Sequence, residues 1–241
     1  MKSTNELEIL SWNVHYPFFA KDNTYVADTL EQLEQLDVIC LQEYVDGASE
    51  QTKEWLENNN YVINYLPFAS KGDLSQGVMT AVRKGLSAKT VPIILREDEP
   101  RRLRPFPNIR GLLATTVQTE HGEVTINNVH LTVPRPHLVD LRKREFTELK
   151  EYLNSQNTSS NWLLCGDFNF MPYDSRRKYL TNRYTHFTGS MVNKTWRNHQ
   201  PYTPIRANLD YLFWREGSIR VAAELLDFNH SDHRPMRATL S

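Results

Sequence analysis

Eight polar residues follow or border short apolar runs, and their side chains are of the kinds that bind metals and activate water. They are Asn13, Glu43, His130, Asp167, Asn169, Asp210, Asp232 and His233. If strands bring them to one edge, the carboxylates cannot all stay ionised without a cation, so a hard divalent metal is implied. Oxygen ligands such as Glu43, Asp232 and Asn13 suit Mg²⁺ or Mn²⁺ better than Zn²⁺. The chemistry that needs such a set is attack of an activated water on a phosphate ester.

The stretch Trp162–Phe170 shows this arrangement most clearly. Its apolar run leads into Asp167 and Asn169, and a buried aspartate needs a cation, a proton or hydrogen-bond donors. The alternative is a strand followed by an ordinary Asx turn. Similar alternatives exist for Asn13, which could cap a turn, and for His130, which taken alone could be structural. Repetition of the arrangement along the chain favours a shared site.

Asp210 and His233 are the two members of this set that we expect to hydrogen-bond to each other. An aspartate bonded to an imidazole fixes its tautomer and stabilises the imidazolium form. The pair would then donate a proton or a hydrogen bond to charge that develops during phosphate ester hydrolysis.

Basic and aromatic residues near the apolar runs are candidates for contacting substrate. The segment Arg96–Arg110 contains three acids, three prolines and five arginines. It is predicted to be a loop, which is either an ordinary solvated loop or an arm whose arginines, Arg110 included, contact phosphate. Trp196 would either stack on a base or anchor a loop by packing.

The composition is that of an ordinary globular protein, with 241 residues, 39% of them hydrophobic. The net charge is −1, so any attraction to phosphate must be local. Cys40 and Cys165 each lie in an apolar run, which predicts buried thiols and a reducing compartment. We expect a cytoplasmic protein, because no secretory signal and no run long enough to span a membrane is visible. A monomer is the default expectation.

Hydrophobic periodicity predicts many strands with helices between them. Helices are predicted over 22–36, 49–59, 138–153 and 174–180. Strands are predicted over 7–12, 37–41, 61–66, 77–82, 110–119, 123–131, 162–166, 208–213 and 235–240. The helices do not alternate strictly with the strands and one hairpin is expected at 119–123, so mixed sheets covered by helices are predicted. No linker or repeat is visible, and a single domain over residues 1–241 is the simplest interpretation.

Six short motifs contain the polar residues described above. They are Ser11–Asn13, Leu41–Glu43, Asn128–Leu131, Gly166–Asn169, Leu209–Phe213 and Ser231–Pro235. In this order the series resembles that of the endonuclease/exonuclease/phosphatase superfamily, over nearly the whole chain. The resemblance implies a four-layer α/β/β/α sandwich, two packed mixed β-sheets flanked by helices, and a Mg²⁺-dependent phosphoesterase.

The resemblance also implies roles for the motif residues. Glu43 matches the principal metal ligand, with Asn13 and Asp232 nearby. Asp167 matches the residue that activates the attacking water, and Asn169 matches a donor to the phosphate or the metal shell. The remaining matched positions are the His–Asp pair, His233 with Asp210.

His130 and His15 separate this chain from one branch of the superfamily. Position 130 is histidine in the nuclease, sphingomyelinase and phosphodiesterase branches, whereas abasic-site endonucleases have tyrosine there and an aspartate at the position of His15. Both residues argue against an abasic-site repair enzyme. The retained motif residues and the nearby basic and aromatic side chains lead us to expect a phosphodiesterase or nuclease acting on nucleic acid. The alternative is a phosphoesterase for a small or lipid substrate, of the sphingomyelin or inositol-phosphate type. A non-catalytic binding module is disfavoured because Glu43, Asp167 and the His–Asp pair are all retained.

Overall fold

The computed structural model describes most of the chain as strands and helices around two sheets. The described residues are 6–15, 24–33, 35–98, 108–120, 122–156, 160–189, 194–197, 206–215, 219–227 and 231–241. Within them the helices are α1 (Thr24–Glu31), α2 (Glu50–Asn58), α3 (Val139–Ser155) and α4 (Ser175–Thr181), with a 3-10 turn at Pro136–Leu138. The strands are β1 (Leu7–Asn13), β2 (Val38–Asp46), β3 (Tyr61–Lys71), β4 (Leu74–Arg83), β5 (Ala88–Asp98), β6 (Asn108–Thr119), β7 (Gly122–His130), β8 (Asn161–Asp167), β9 (Thr185–Phe187), β10 (Trp196–Arg197), β11 (Arg206–Ala207), β12 (Asp210–Trp214), β13 (Val221–Leu225) and β14 (Met236–Leu240).

Two six-stranded mixed sheets form the centre of the molecule. Their strand orders are β13-β14-β1-β2-β4-β3 and β5-β6-β7-β8-β12-β9. Between them lies an apolar core that includes Cys40 and Cys165, both buried and free as expected. A second core packs α3 and α4 on the outer face of one sheet, and a third packs α1 and α2 on the other. The four-layer α/β/β/α sandwich is therefore confirmed.

Parallel strand pairs bring the polar ends of strands together. β1 and β2 are parallel, and so are β7 and β8. The carboxyl ends of each pair consequently meet at one edge of their sheet, where His130 pairs in register with Asp167. β12 is antiparallel to β8 and begins with Asp210 opposite Asp167. This topology gathers residues that are far apart in the sequence.

A buried amide pair links the two sheets just behind that edge. Nε2 of Gln42 donates to Oδ1 of Asn128 across the sheet interface at 2.8 Å, and Nδ2 of Asn128 donates to the carbonyl of Met79 at 2.8 Å. Buried amides are tolerated only when they are hydrogen-bonded. Because Gln42 precedes Glu43 directly, this link fixes the relative position of the two halves of the edge.

Three predictions of local structure were wrong. Arg96–Asp98 and Asn108–Arg110 are in strands β5 and β6 and not in a loop; residues 99–107 lie outside the described residues. The strand β5 itself was missed, because it is a largely exposed edge strand without a clear apolar alternation. Arg142 is 8% exposed, although an arginine in the amphipathic helix over 138–153 is expected on its polar side. No helix in the described ranges is both long and apolar enough to cross a membrane.

Candidate active site

Three non-glycine residues with left-handed backbone conformations lie at the edge where the strand ends meet. His15, Glu43 and Asn169 have φ angles of 41°, 56° and 51°. Glu43 sits where the β2–β4 register shifts. Left-handed conformations are uncommon for such residues and persist where surrounding contacts hold them. Here the backbone N–H of Asn169 donates to Oδ1 of Asp167 at 2.8 Å, and that of His15 donates to Oδ1 of Asn13 at 2.9 Å.

Asp167 lies at the centre of the cluster and is 2% exposed. Its Oδ2 accepts hydrogen bonds from Nδ2 of Asn13 at 2.9 Å and from Nδ2 of Asn169 at 3.2 Å. The same oxygen is 3.7 Å from Nε2 of His130 and 3.9 Å from Nε2 of His233. Burial is the largest influence and raises the pKa of Asp167 to about 8. A neighbouring cation would favour its ionised form.

His233 is held by the aspartate expected from the sequence. Its Nδ1 lies 2.9 Å from Oδ2 and 3.1 Å from Oδ1 of Asp210. Burial opposes the charged imidazole, but the negative charge and hydrogen bond of Asp210 outweigh it and raise the pKa of His233 to about 10. The backbone of Asp210 is fixed by the hydroxyls of Thr195 and Thr188. The pair is therefore buried and oriented, with Nε2 of His233 turned towards the carboxylates.

His130, Glu43 and Arg110 form a second side of the cluster. Nε2 of His130 lies 3.8 Å from Oε1 of Glu43. Burial and the positive charges of Arg110 and His233 hold the pKa of His130 well below its usual value, so its imidazole is neutral. The guanidinium of Arg110 stacks 4.9 Å above the ring of Phe68. Arg110 is thus at the site, but it reaches it from a strand and not from a loop.

Asp232 and Trp196 border the cluster on the opposite side. The indole N–H of Trp196 donates to Oδ2 of Asp232 at 2.8 Å. This contact agrees with the packing interpretation of Trp196, although its half-buried ring also lies 6.5 Å from that of His233. Oδ1 of Asp232 is buried and, within the described ranges, accepts no hydrogen bond. That oxygen lies 3.4 Å from Nδ1 of His15.

A hard divalent cation fits the donor set of this cluster. Ligand atoms of Glu43, His130 and Asp167 lie within 4.8 Å of one another. Several buried carboxylates in one place are costly without a compensating positive charge, and the buried Oδ1 of Asp232 still has unused acceptor capacity. Asn13 differs from the simple ligand that was expected. Its NH₂ group bridges Glu43 and Asp167, so its Oδ1 would have to turn away from His15 to bind a metal.

Two residues that support the cluster were missed from the sequence. Nε2 of Gln76 donates to Oε2 of Glu43 at 3.4 Å, and no sequence pattern distinguished this polar residue within its strand. Nη2 of Arg142 donates to the carbonyl of Asn169 at 2.8 Å. A signal for Arg142 did exist: it lies four residues after Leu138 and four before Phe146, on the apolar stripe of its helix.

Comparisons with known proteins agree with this geometry. A sequence model of the Endonuclease/Exonuclease/phosphatase family matches residues 10–233. No curated protein sequence matches the chain significantly.

Similar solved structures share the fold at low sequence identity. An endonuclease/exonuclease/phosphatase family protein from Leptotrichia buccalis has a TM-score of 0.71 at 18% identity, covering 98% of this chain and 99% of that one. The human Nocturnin catalytic domain with bound sulfate anion has a TM-score of 0.70 at 20% identity, with coverage of 98% and 93%. Truncated Caenorhabditis elegans TDP2 has a TM-score of 0.69 at 20% identity, with coverage of 98% and 97%.

Proposed function

The chain belongs to the endonuclease/exonuclease/phosphatase family of phosphoesterases, and we propose that it is a metal-dependent phosphodiesterase that hydrolyses nucleic acid by in-line attack of an activated water. The observation that carries this proposal is the convergence on Asp167. Two amides and two imidazoles surround its carboxylate, within 2.9–3.9 Å of Oδ2. Such a group can accept a proton while its neighbours donate to phosphate oxygens.

Glu43 and Asp232 would hold the metal, together with Asn13 if its amide turns. Mg²⁺, or Mn²⁺ in its place, would supply positive charge that neutralises the phosphoryl oxygens. Oxygen ligands from carboxylates and amides are those that these ions prefer. These ions fit the site because its donor atoms are oxygens and because Oδ1 of Asp232 is buried without a hydrogen-bond partner among the described residues.

The residues around Asp167 divide the proton transfers between them. Asp167 accepts a proton from the attacking water. Asn169 orients that carboxylate, because its Nδ2 donates to Oδ2 of Asp167 and to the carbonyl of Leu131, which leaves no amide N–H for the phosphate. His233, whose positive charge Asp210 stabilises, donates to the oxygen on which negative charge develops. Neutral His130 donates its single N–H to a phosphoryl oxygen.

Nucleic acid is the substrate class that we assign to this site. Arg110 can donate to a phosphate from its position beside Phe68 and His130. The ring of Trp196 offers a surface at the opposite border. The structurally similar Nocturnin domain has a bound sulfate, an anion that is tetrahedral like phosphate, which supports a site of this kind for phosphoryl groups.

The test is a panel of phosphoesters with Mg²⁺ or Mn²⁺ present. Bis-nitrophenyl phosphate and nitrophenyl phosphate separate diesterase from monoesterase activity, and single- and double-stranded DNA and RNA identify the polymer. Replacing Asp167→Asn should lower kcat by about 100- to 10,000-fold, since a general base is lost. Asp73→Asn, an exposed acid in a hairpin turn, is the matched control. Equal activity of the Asp167→Asn variant and the unmodified chain would remove Asp167 from its assigned role.

A small or lipid phosphoester is the second candidate substrate. The observation that favours it is the net charge of −1, which provides no overall field to attract a polyanion. Binding of a nucleic acid weakens steeply as salt rises, because counterions are released from the polymer. A nearly flat salt response of KM would favour the small substrate.

A further inference from the structure

A fully exposed tyrosine follows the strand that ends in Asp167. Tyr173 is 101% exposed and Met171 is 48% exposed, whereas Phe168 and Phe170 of the same segment are buried in the outer core. Large apolar side chains on a surface are individually common. Tyr173 is nevertheless the extreme case among the described residues, since none of the other exposed large hydrophobic side chains exceeds 61%. Its ring therefore contributes little to packing.

The backbone that presents Tyr173 is held in place from several directions. The N–H of Asp174 donates to the carbonyl of Met171 at 3.0 Å and closes a turn. Nη1 of Arg177 donates to the carbonyl of Pro172 at 2.9 Å. The Asp174 carboxylate caps α4 and pairs with Arg176 and Arg142. The tyrosine is thus exposed on a fixed turn.

This turn is close to the reacting centre. Tyr173 follows Asn169 by four residues, so the two Cα atoms are at most about 14 Å apart. Arg142 contacts both the carbonyl of Asn169 and the carboxylate of Asp174, which ties the turn to the site. Tyr173 is therefore within the reach of a few nucleotides from a scissile phosphate placed at Asp167.

The segment that follows the turn is positively charged. Residues 171–183 contain four basic side chains and one acid, in a chain whose net charge is −1. The acid, Asp174, is 4% exposed and is neutralised by its ion pairs. Lys178 and Arg183 are exposed. The local charge is therefore opposite to that of a phosphate backbone.

We infer that Tyr173 and this basic segment bind single-stranded nucleic acid beside the scissile phosphate. Tyr173 stacks on an unpaired base, and Lys178 and Arg183 attract the neighbouring phosphates. An aromatic ring next to cations is the general arrangement by which proteins bind single strands. The inference rests on the proposed phosphodiesterase function and narrows its substrate to unpaired nucleic acid.

A membrane surface fits this segment less well than nucleic acid does. Membrane-binding helices need a continuous apolar face opposite their basic one. In α4 the apolar side chains Tyr179 and Leu180 pack on the outer core. Only Met171 and Tyr173 offer large apolar surface on the described turn. A vesicle arm in the experiment distinguishes the two ligands.

Fluorescence anisotropy with a short labelled oligothymidylate, in EDTA to prevent turnover, measures binding apart from activity. Tyr173→Ala should raise Kd by about 5- to 150-fold, the loss expected for one stacked base. Tyr173→Phe keeps the ring and should stay within about twofold of the unmodified chain. Val62→Ala, an exposed apolar residue on β3, is the control. An unaltered thermal unfolding midpoint in Tyr173→Ala would show that its fold is intact.

The basic segment has its own test in the salt dependence of Kd. Lys178→Ala should reduce the slope of log Kd against log salt by about 0.7, the value for one phosphate contact on a single strand. Lys53→Ala, on the exposed face of α2, should leave the slope unchanged.

Three results would overturn the inference. The unmodified chain fails to bind the oligonucleotide; Tyr173→Ala binds it with the same Kd as the unmodified chain; or Tyr173→Ala weakens binding to phosphatidylserine vesicles and not to the oligonucleotide. The proposed function fails separately, if Asp167→Asn keeps full hydrolytic activity while Tyr173→Ala weakens oligonucleotide binding.

Discussion

Oδ2 of Asp210 lies 2.9 Å from Nδ1 of His233, although the two residues are 23 positions apart in the chain. Asp210 begins a strand of one sheet, and His233 lies three residues before the last strand of the other. Both side chains are buried, and their contact leaves Nε2 of His233 facing Asp167 at 3.9 Å. The hydrogen bond therefore spans the two sheets and orients a proton donor at the same time.

Replacing Asp210→Asn should lower kcat by about 100- to 10,000-fold with little change in KM, since the loss is that of a general acid. The amide cannot stabilise a positively charged imidazole as the carboxylate does. Steady-state kinetics on the best substrate of the phosphoester panel provide the measurement. Asp73→Asn serves again as the control, and an unchanged kcat in Asp210→Asn would show that the pair is only structural.

Binding of Mg²⁺ should stabilise the fold, because the buried carboxylates gain a counter-charge. At a concentration of about 100 times Kd, the free energy of unfolding should rise by about 2.7 kcal/mol. The measurement is the thermal unfolding midpoint as a function of Mg²⁺ concentration, and chelation should reverse the rise. Glu43→Gln should abolish it, whereas Glu57→Gln on the exposed face of α2 should not. A midpoint that does not respond to Mg²⁺ or Mn²⁺ would contradict the metal site.

Gly166→Ala should destabilise the fold by more than the roughly 1–3 kcal/mol expected for backbone strain alone. Gly166 has a φ of 135°, and an added Cβ would lie 1.9 Å from the carbonyl oxygen of Val129 on β7. Gly85→Ala is a matched control, because its φ is 100° but its Cβ would contact nothing within 4 Å. Urea unfolding measures the free energy that each variant loses. Both variants have the backbone strain, but only Gly166→Ala has the steric clash. If both variants lose the same free energy of unfolding, β7 and β8 can move apart enough to accommodate the added Cβ.

Asp174→Asn should reduce stability at neutral pH and lose this effect in acid. Burial alone would raise the pKa of the Asp174 carboxyl, but Arg176 and Arg142 outweigh it and hold this pKa below its usual range. A lowered pKa stabilises the fold above the unfolded-state value of about 4 and stops doing so as pH falls through the folded-state value. Urea midpoints at neutral pH and below pH ~3 provide the test. If the urea midpoints of Asp174→Asn and of the unmodified chain differ by the same amount at both pH values, the ion pairs of Asp174 do not stabilise the fold.

The sequence predicted which polar side chains lie close together better than it predicted the edge strands of the sheets. Asp167, His130 and Glu43 were identifiable because each follows an apolar run, and a buried strand makes such a run visible. The strand β5 is largely exposed and contains Pro92, so its pairing with β6 left no comparable pattern. Local periodicity does not report partners that lie across a sheet.

Tertiary contacts decided the features that the sequence did not reveal. The left-handed backbone of Glu43 depends on a register shift opposite β4, and the burial of Arg142 depends on the loop it supports. The orientation of Asn13 depends on two carboxylates and a backbone amide from separate segments. Each of these requires knowing which distant residues are neighbours.

The strand β1 lies between β2 and β14, and all seven of its residues are buried. During synthesis of the chain, β2 emerges soon after β1, while β14 emerges more than 220 residues after it. The edge of β1 that pairs with β14 therefore stays unpaired until β14 has been made, and an unpaired edge can pair with other chains. Asp232 and His233 also emerge more than 200 residues after β1, so the cluster around Asp167 cannot be complete before then.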